Sequence, residues 1–374
     1  MNVLVKGVTL LLYSVVLAVG VDASSAFAQT SGWKEVWASA MSGAKKEARV
    51  AVLGPPGELI RQAVTQGFSK AFPGIAIEYS GGRGSEQATK LRAERDGGVH
   101  SVDVFLTGTS TALRLLKPIG ALDPVKPILI LPEVTNPKYW RDQRFYFADM
   151  EGIYNFVFVS YVGTRLVYNL EQVKPDEVDE LNDLLDPKWK GKMVINDPLP
   201  SGNGDVTFRW LWRVLGPAKA AEYYRKIRSQ AGAVDRDQRR QIEWIAQGKY
   251  AILLAPSDGV LQQMLTRGIK VGVIGEFKDH GAYLSASFGS VSLINRAPHP
   301  NAATVFTNWL LGKDGQTKWS HAMNHVSRRI DVPSDHVPSY AIPRPGVKYW
   351  SSDSEENVER SQEETKILNE IFGR

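Results

Sequence analysis

The most chemically suggestive stretch of the chain is Ser80-Gly81-Gly82-Arg83-Gly84-Ser85. Gly82 and Gly84 let backbone N–H groups approach a ligand, Arg83 offers a planar fork for carboxylate or phosphate, and Ser85 opens a helical pattern whose positive end favours anions. The competing reading is a surface turn with a solvated arginine. The G-x-G-x-x-G spacing of a dinucleotide site is missing. Thr107, Thr109 and Ser110 form a second cluster of hydroxyl donors, and Ser257 with Asp258 a third. For Asp258, capping the helix that follows is the favoured role. Such residues suit non-covalent capture of a small polar solute. An enzyme would need another constellation, and no G-x-S-x-G elbow, P-loop or H-E-x-x-H occurs. His321 and His325 stand four apart without the glutamate of a zinc protease, so a solvated helix face is expected, with no metal and no cofactor.

The elements that must position these residues alternate strand and helix. Arg49–Leu53, Ile75–Tyr79 and Val102–Leu106 are short and β-branched, and the stretches Leu59–Phe72, Ser85–Arg95 and Thr111–Leu116 between and after them carry helical spacing. Crossover helices imply parallel strands, and in an open parallel sheet the ligand sits beyond their carboxyl ends. The small-residue loops lie there. A second αβ region follows strand-like Tyr154–Tyr161 and Arg165–Tyr168. It holds the strand Met193–Asn196, the loop Asp197–Asp205, a helix rich in Trp and Arg, and the strand Tyr250–Leu254. The expected class is therefore α/β, in two linked lobes. A charged helix, Glu355–Phe372, ends the chain, with Ile367, Leu368, Ile371 and Phe372 as its docking face.

Composition narrows the context. The chain has 374 residues, 43% hydrophobic and 23% charged, ordinary values for a globular protein of about two domains. Lys and Arg (45) exceed Asp and Glu (40) by five and are spread along the sequence, so no nucleic-acid partner is expected. Cysteine is absent, which excludes disulfides, thiolate metal sites and Cys nucleophiles. Lys6, the apolar run Val8–Val21 and Ala26-Phe27-Ala28 read as an export signal at residues 1–28, cleaved after Ala28. The product is expected in the periplasm, as a monomer.

Leu181–Lys192 (LNDLLDPKWKGK) with Met193–Pro198 (MVINDP), Gln247–Ile252 (QGKYAI) and Ala297–Gln316 (APHPNAATVFTNWLLGKDGQ) resemble the extracellular solute-binding proteins of ABC importers. The resemblance is to the branch that serves ferric iron, polyamines, phosphonates and sugar phosphates. It implies a periplasmic binding protein-like fold with a hinge and an inter-lobe cleft. Lobe 1 would be discontinuous (29–165 and 285–374) and lobe 2 would span 166–284. Residues are carried over at Ser201, Gly202 and Gly204 as a cleft-facing turn, with Asn203 as a donor and acceptor beside them. Tyr154 and Phe288, near the implied crossovers, are placed to touch the ligand. The implied partners are a small-molecule solute and an inner-membrane ABC transporter permease. Ferric-iron receptors of this branch place adjacent tyrosines after the strand matching Tyr250–Leu254, where this chain reads Ala255-Pro256-Ser257-Asp258. Tyr223-Tyr224 lies in a helical pattern and is expected to pack. A small anionic solute is the favoured ligand, ferric iron or its chelate the alternative, and an exported enzyme on the same scaffold the competing class.

Overall fold

The computed structural model describes residues 23–373 apart from Ser201, with side chains from residue 32 onward. The apolar run Val8–Val21, expected to be the export signal, lies outside the described residues. Helix α1 (Ala23–Glu47) leads into the first lobe, where Ala40 and Ala44 are buried. Its last residue, Glu47, accepts from the backbone N–H of Asn301 and Ala302, and so caps a helix far along the chain.

The first lobe is built as the alternating pattern requires. β1 (Arg49–Gly54), α2 (Glu58–Ala71), β2 (Ala76–Gly81), α3 (Gly84–Asp96) and β3 (Val104–Thr107) follow in order. β1 pairs in parallel with both β2 and β3, because each helix carries the chain back before the next strand starts. Ile60, Val64 and Phe68 of α2 recur at helical spacing and are buried. Short α4 (Thr109–Thr111) runs on as a single π-helical turn, Ala112–Leu116, and is followed by β4 (Leu122–Asp123), α5 (Pro132–Thr135) and β5 (Phe156–Val157).

The stretch expected as one strand, Tyr154–Tyr161, is broken into β5 and β6 (Tyr161–Val162), since here the chain leaves one sheet for another. The second lobe holds β7 (Leu166–Tyr168), β8 (Met193–Asn196), α6 (Asn203–Leu215), α7 (Pro217–Gln230), β9 (Ala231–Asp235), α8 (Gln238–Ala246), β10 (Ile252–Leu254), α9 (Asp258–Thr266) and β11 (Gly272–Ile274). Its sheet runs β11-β7-β10-β8-β9. Side chains alternate across it: Val167, Val194 and Leu253 pack with α8 and α9 on one face. Leu166, Ile195 and Leu254 pack with Trp210 and Tyr224 on the other. Covered on both faces, these strands are almost wholly apolar.

The chain then returns through β12 (Tyr283–Ser285) to β13 (Ser290–Ile294), which inserts antiparallel between β3 and β4. α10 (Pro300–Leu311) and α11 (Lys313–Met323) complete the first lobe. The last segment forms β14 (Trp350–Ser351), α12 (Glu355–Val358) and α13 (Gln362–Phe372). The expected continuous helix from Glu355 is thus interrupted, and Ser361 caps α13 afresh.

At the junction where the resemblance implies a hinge, β6, β12 and β14 pair as a small third sheet, so three segments connect the lobes. The tail was assigned to the first lobe, yet Leu368 and Phe372 are buried in the core of the second, with Ile367 and Ile371 alongside. Their stripe finds its apolar partner on α7, where the Phe372 and Tyr224 rings lie 6.0 Å apart.

Candidate functional site

The carboxyl end of β3 and the amino ends of α3, α6 and α9 meet around a cavity of about 240 Å³ between the lobes. From the first lobe come Gly84 and Ser85 at the start of α3, then Thr107, Gly108, Thr109, Ser110 and Thr111. From the second come Gly202, Asn203 and Val206 of α6 with Ser257, Asp258 and Gly259 of α9. The connecting segments supply Tyr161, Tyr283, Ser285, Ser287, Phe288, Ser352 and Asp353.

None of α3, α6 and α9 has a side-chain cap at its N-cap residue. The first N–H groups of a helix have no partner within it, so three sets of donors and three positive helix ends face one space. Glycine permits the close approach. A Cβ on Gly84 would lie 2.4 Å from Thr107 Oγ1, and Gly202, at φ 154°, holds a conformation that side chains resist. Thr107 Oγ1 is buried and has no hydrogen-bond partner among the described residues.

No Lys, Arg or His lines the cavity among the described residues, while two aspartates do. Asp258 Oδ1 accepts from the backbone N–H of Thr164 at 2.8 Å and Oδ2 from Asn203 Nδ2 at 3.1 Å. Burial pushes its carboxyl upward against these bonds. Asp353 Oδ1 accepts from the Ala286 N–H at 3.0 Å, and burial, offset in part by the Arg328 charge, raises this carboxyl to about 6. Burial also lifts the Tyr161 phenol well above its ordinary value, with the Asp258 charge adding to the effect.

The cavity gathers Gly84, Ser85, Thr107, Thr109, Ser110, Gly202, Asn203, Ser257, Asp258 and Phe288 of the residues singled out from sequence. Gly82, Arg83, Gly204 and Tyr154 are not among its lining residues, and Ser201 lies outside the described residues. The Arg83 side chain is 81% exposed and pairs with Glu86 one helical turn on, because the tight Gly84–Thr107 approach turns the loop outward before α3 begins. Gly82 stays beside it and packs against Gln87. Gly204 is buried against the end of β8, where a Cβ would come within 2.4 Å of the Asn196 carbonyl. Tyr154 packs on the first-lobe core, with the Lys117 ammonium 6.0 Å from its ring. Asp258 does not cap α9 through its side chain, which turns instead to Thr164 and Asn203.

Tyr223 and Tyr224 are buried in α7, Tyr223 donating to the Leu181 carbonyl at 2.9 Å. His321 is exposed on α11, as a solvated helix face requires, and stacks on His336; His325 instead lies beyond α11, buried and stacked on Tyr161. Burial drives the His325 imidazole down to about 3. Tyr161, Tyr283, Ser352 and Asp353 escaped the sequence reading. Tyr161 and Tyr283 flank crossovers and were within reach of it; Ser352-Asp353 follows a proline-rich stretch with no pattern to mark it.

The family described as bacterial extracellular solute-binding protein matches residues 63–341. The chain is 22% identical over 255 residues to iron uptake protein A1 of Synechocystis sp., a match that spans 66% of each. Among solved structures, a Trichodesmium protein (IdiA, FutA) in complex with iron and citrate matches with TM-score 0.63 and 19% identity, covering 87% of this chain and 97% of that one. Iron-bound HitA from Pseudomonas aeruginosa matches with TM-score 0.64 and 14% identity, covering 87% and 99%. AfuA from Actinobacillus pleuropneumoniae, with fructose-6-phosphate bound, matches with TM-score 0.63 and 17% identity, covering 86% and 97%. These likenesses carry the two-lobed architecture, and the match across residues 63–341 carries the family: the chain belongs to the bacterial extracellular solute-binding proteins.

Proposed function

We propose that the protein captures a small anionic solute, phosphorylated, phosphonate or carboxylate, by closing its lobes, and delivers it from the periplasm to an inner-membrane ABC transporter permease. The carrying observation is that the amino ends of α3, α6 and α9, from both lobes and without side-chain caps, border one cavity. Helix ends and loop amides replace the water around an anion without a fixed cationic side chain. Binding is strongest when both lobes contribute, so the solute favours the closed form, and closure presents a new surface to the permease. A dissociation constant on the order of 1 μM corresponds to about 8 kcal/mol, within reach of several charge-assisted hydrogen bonds.

A second reading is ferric iron or its chelate. It is favoured by the oxygen set of Tyr161, Tyr283, Asp258 and Asp353 around the cavity and by the iron proteins among the relatives. Against it stand the Ala255-Pro256-Ser257-Asp258 sequence, where ferric-iron receptors of this branch place paired tyrosines, and a Tyr161 phenol held neutral by burial.

Isothermal titration of the full chain with fructose 6-phosphate, citrate, inorganic phosphate and ferric citrate separates the readings. Micromolar binding of a metal-free anion, with the solute recovered unchanged, is expected. Binding of ferric citrate alone, with a visible tyrosinate-to-iron absorption band, overturns the anion assignment; chemical conversion of a solute overturns the receptor assignment.

A further inference from the structure

The matched family region ends at residue 341, yet two residues of the cavity, Ser352 and Asp353, come from beyond it. The segment that carries them is fixed on both sides of the cleft. β14 pairs with β12, and the Ser352 N–H and hydroxyl both donate to the Leu284 carbonyl at 3.0 Å. On the first lobe, Glu355 accepts from Lys117 Nζ at 2.7 Å and from the Met150 N–H at 2.8 Å. On the second, Arg360 donates to Asp205 in the first turn of α6 and to the carbonyls of Pro198 and Leu199 at 2.8 and 2.7 Å. Asp353 is thereby set rigidly between two anchored points.

The chemistry of Asp353 is incomplete within the protein. Its residue is 3% exposed, Oδ1 is satisfied by the Ala286 N–H, and Oδ2 has no hydrogen-bond partner among the described residues. The Arg328 and Arg209 charges draw its carboxyl downward, but among the described residues no cationic side chain lines the cavity to pair with it. A buried acceptor without a partner is destabilising unless something else donates to it. Uncapped helix ends favour an anion in the same space, whereas a carboxylate that faces it repels one. A solute that satisfies both must place its anionic end at the helix termini and a donor toward Asp353.

We propose that the segment 342–373 completes the cleft as a strap, and that Asp353 selects anionic solutes that also carry a hydroxyl or ammonium donor. This rests on the anion reading above and narrows its substrate class. The positive helix ends and Thr107 would take the anion, and Asp353 would reject molecules that are anionic throughout.

Calorimetric titration of the full chain tests it with three probes that share a phosphate: methyl phosphate, glycerol 3-phosphate and O-phosphoethanolamine. Wild type is expected to bind at least one donor-bearing probe about tenfold or more tighter than methyl phosphate, and D353A to bring that ratio within about twofold of one. D353N keeps an oxygen for the Ala286 N–H and removes the charge; it is expected to lower the ratio likewise, and it serves if D353A does not fold. An unchanged ratio in a folded variant overturns the role of Asp353 while leaving anion capture intact. Equal wild-type affinity for all three probes also overturns it. No binding of any probe by wild type overturns this inference and the phosphorylated class of the anion reading, which then rests on the citrate arm of the titration above.

Discussion

Asn203 and Asp258, the first residues of α6 and α9, are joined by a hydrogen bond from Asn203 Nδ2 to Asp258 Oδ2 at 3.1 Å. The bond locks two helix ends of the second lobe side by side, and Oδ1 of the same carboxylate holds the Thr164 N–H where the chain enters that lobe. One buried side chain thus sets both the wall of the cavity and its junction with the hinge.

Removing that side chain should loosen both. D258A strands the Thr164 N–H and the Asn203 amide, so a loss of about 1–3 kcal/mol is expected. Urea denaturation of D258A against wild type measures it, and an unchanged midpoint would contradict the assignment.

Arg83 is expected to be dispensable for binding. Its guanidinium is solvated and its pair with Glu86 is an exposed one-turn contact, a class worth at most about 1 kcal/mol. R83A should change solute affinity by less than about twofold by titration calorimetry, whereas a tenfold loss would return the loop to the site.

Stability should depend on pH through two opposed groups. The Asp353 carboxyl is raised by burial to about 6, so the folded state holds its proton more tightly than the unfolded state; that contribution is complete below the ordinary carboxyl value of 3.8 and is lost as pH rises through 6. His325 is depressed to about 3, so its contribution is complete above 6.5 and is lost as pH falls toward 3. Each raised or lowered unit is worth about 1.4 kcal/mol, and the two slopes partly cancel between about pH 4 and 6. H325F should therefore become more stable relative to wild type as pH falls through that window, and D353N as pH rises through it. Parallel pH profiles for all three proteins would refute the assignment.

The terminal helix should be structural. Leu368 is fully buried among second-lobe side chains, and L368A is expected to cost about 2–5 kcal/mol in chemical denaturation. An exposed-face change such as K366A should cost less than about 0.5 kcal/mol.

Local pattern made much of this legible. The βαβ rhythm from Arg49 produced the strand order β2-β1-β3, and Met193–Asn196 formed β8 with the bounds expected. The glycine and hydroxyl loops reached the cavity because strand ends and helix starts lie on one side of a parallel sheet. Arg83 misled because charge was read without direction: the chain turns at Gly84, and nothing local says which way its neighbour points. Asp353 was invisible for another reason. It reaches the cavity through β14, whose pairing with β12 joins residues far apart in sequence and leaves no period to read. The tail's apolar stripe was evident, but its partner was not, since a stripe specifies that a face is covered and not by what.

Helix α13 also constrains the order in which the molecule can be finished. Its Leu368 and Phe372 close the second lobe's core, so α7 keeps a bare oily flank until residue 372 has been made. Contacts between such distant residues form late and slowly. A chain assembled this way keeps its second lobe open until the residues of α13 are in place.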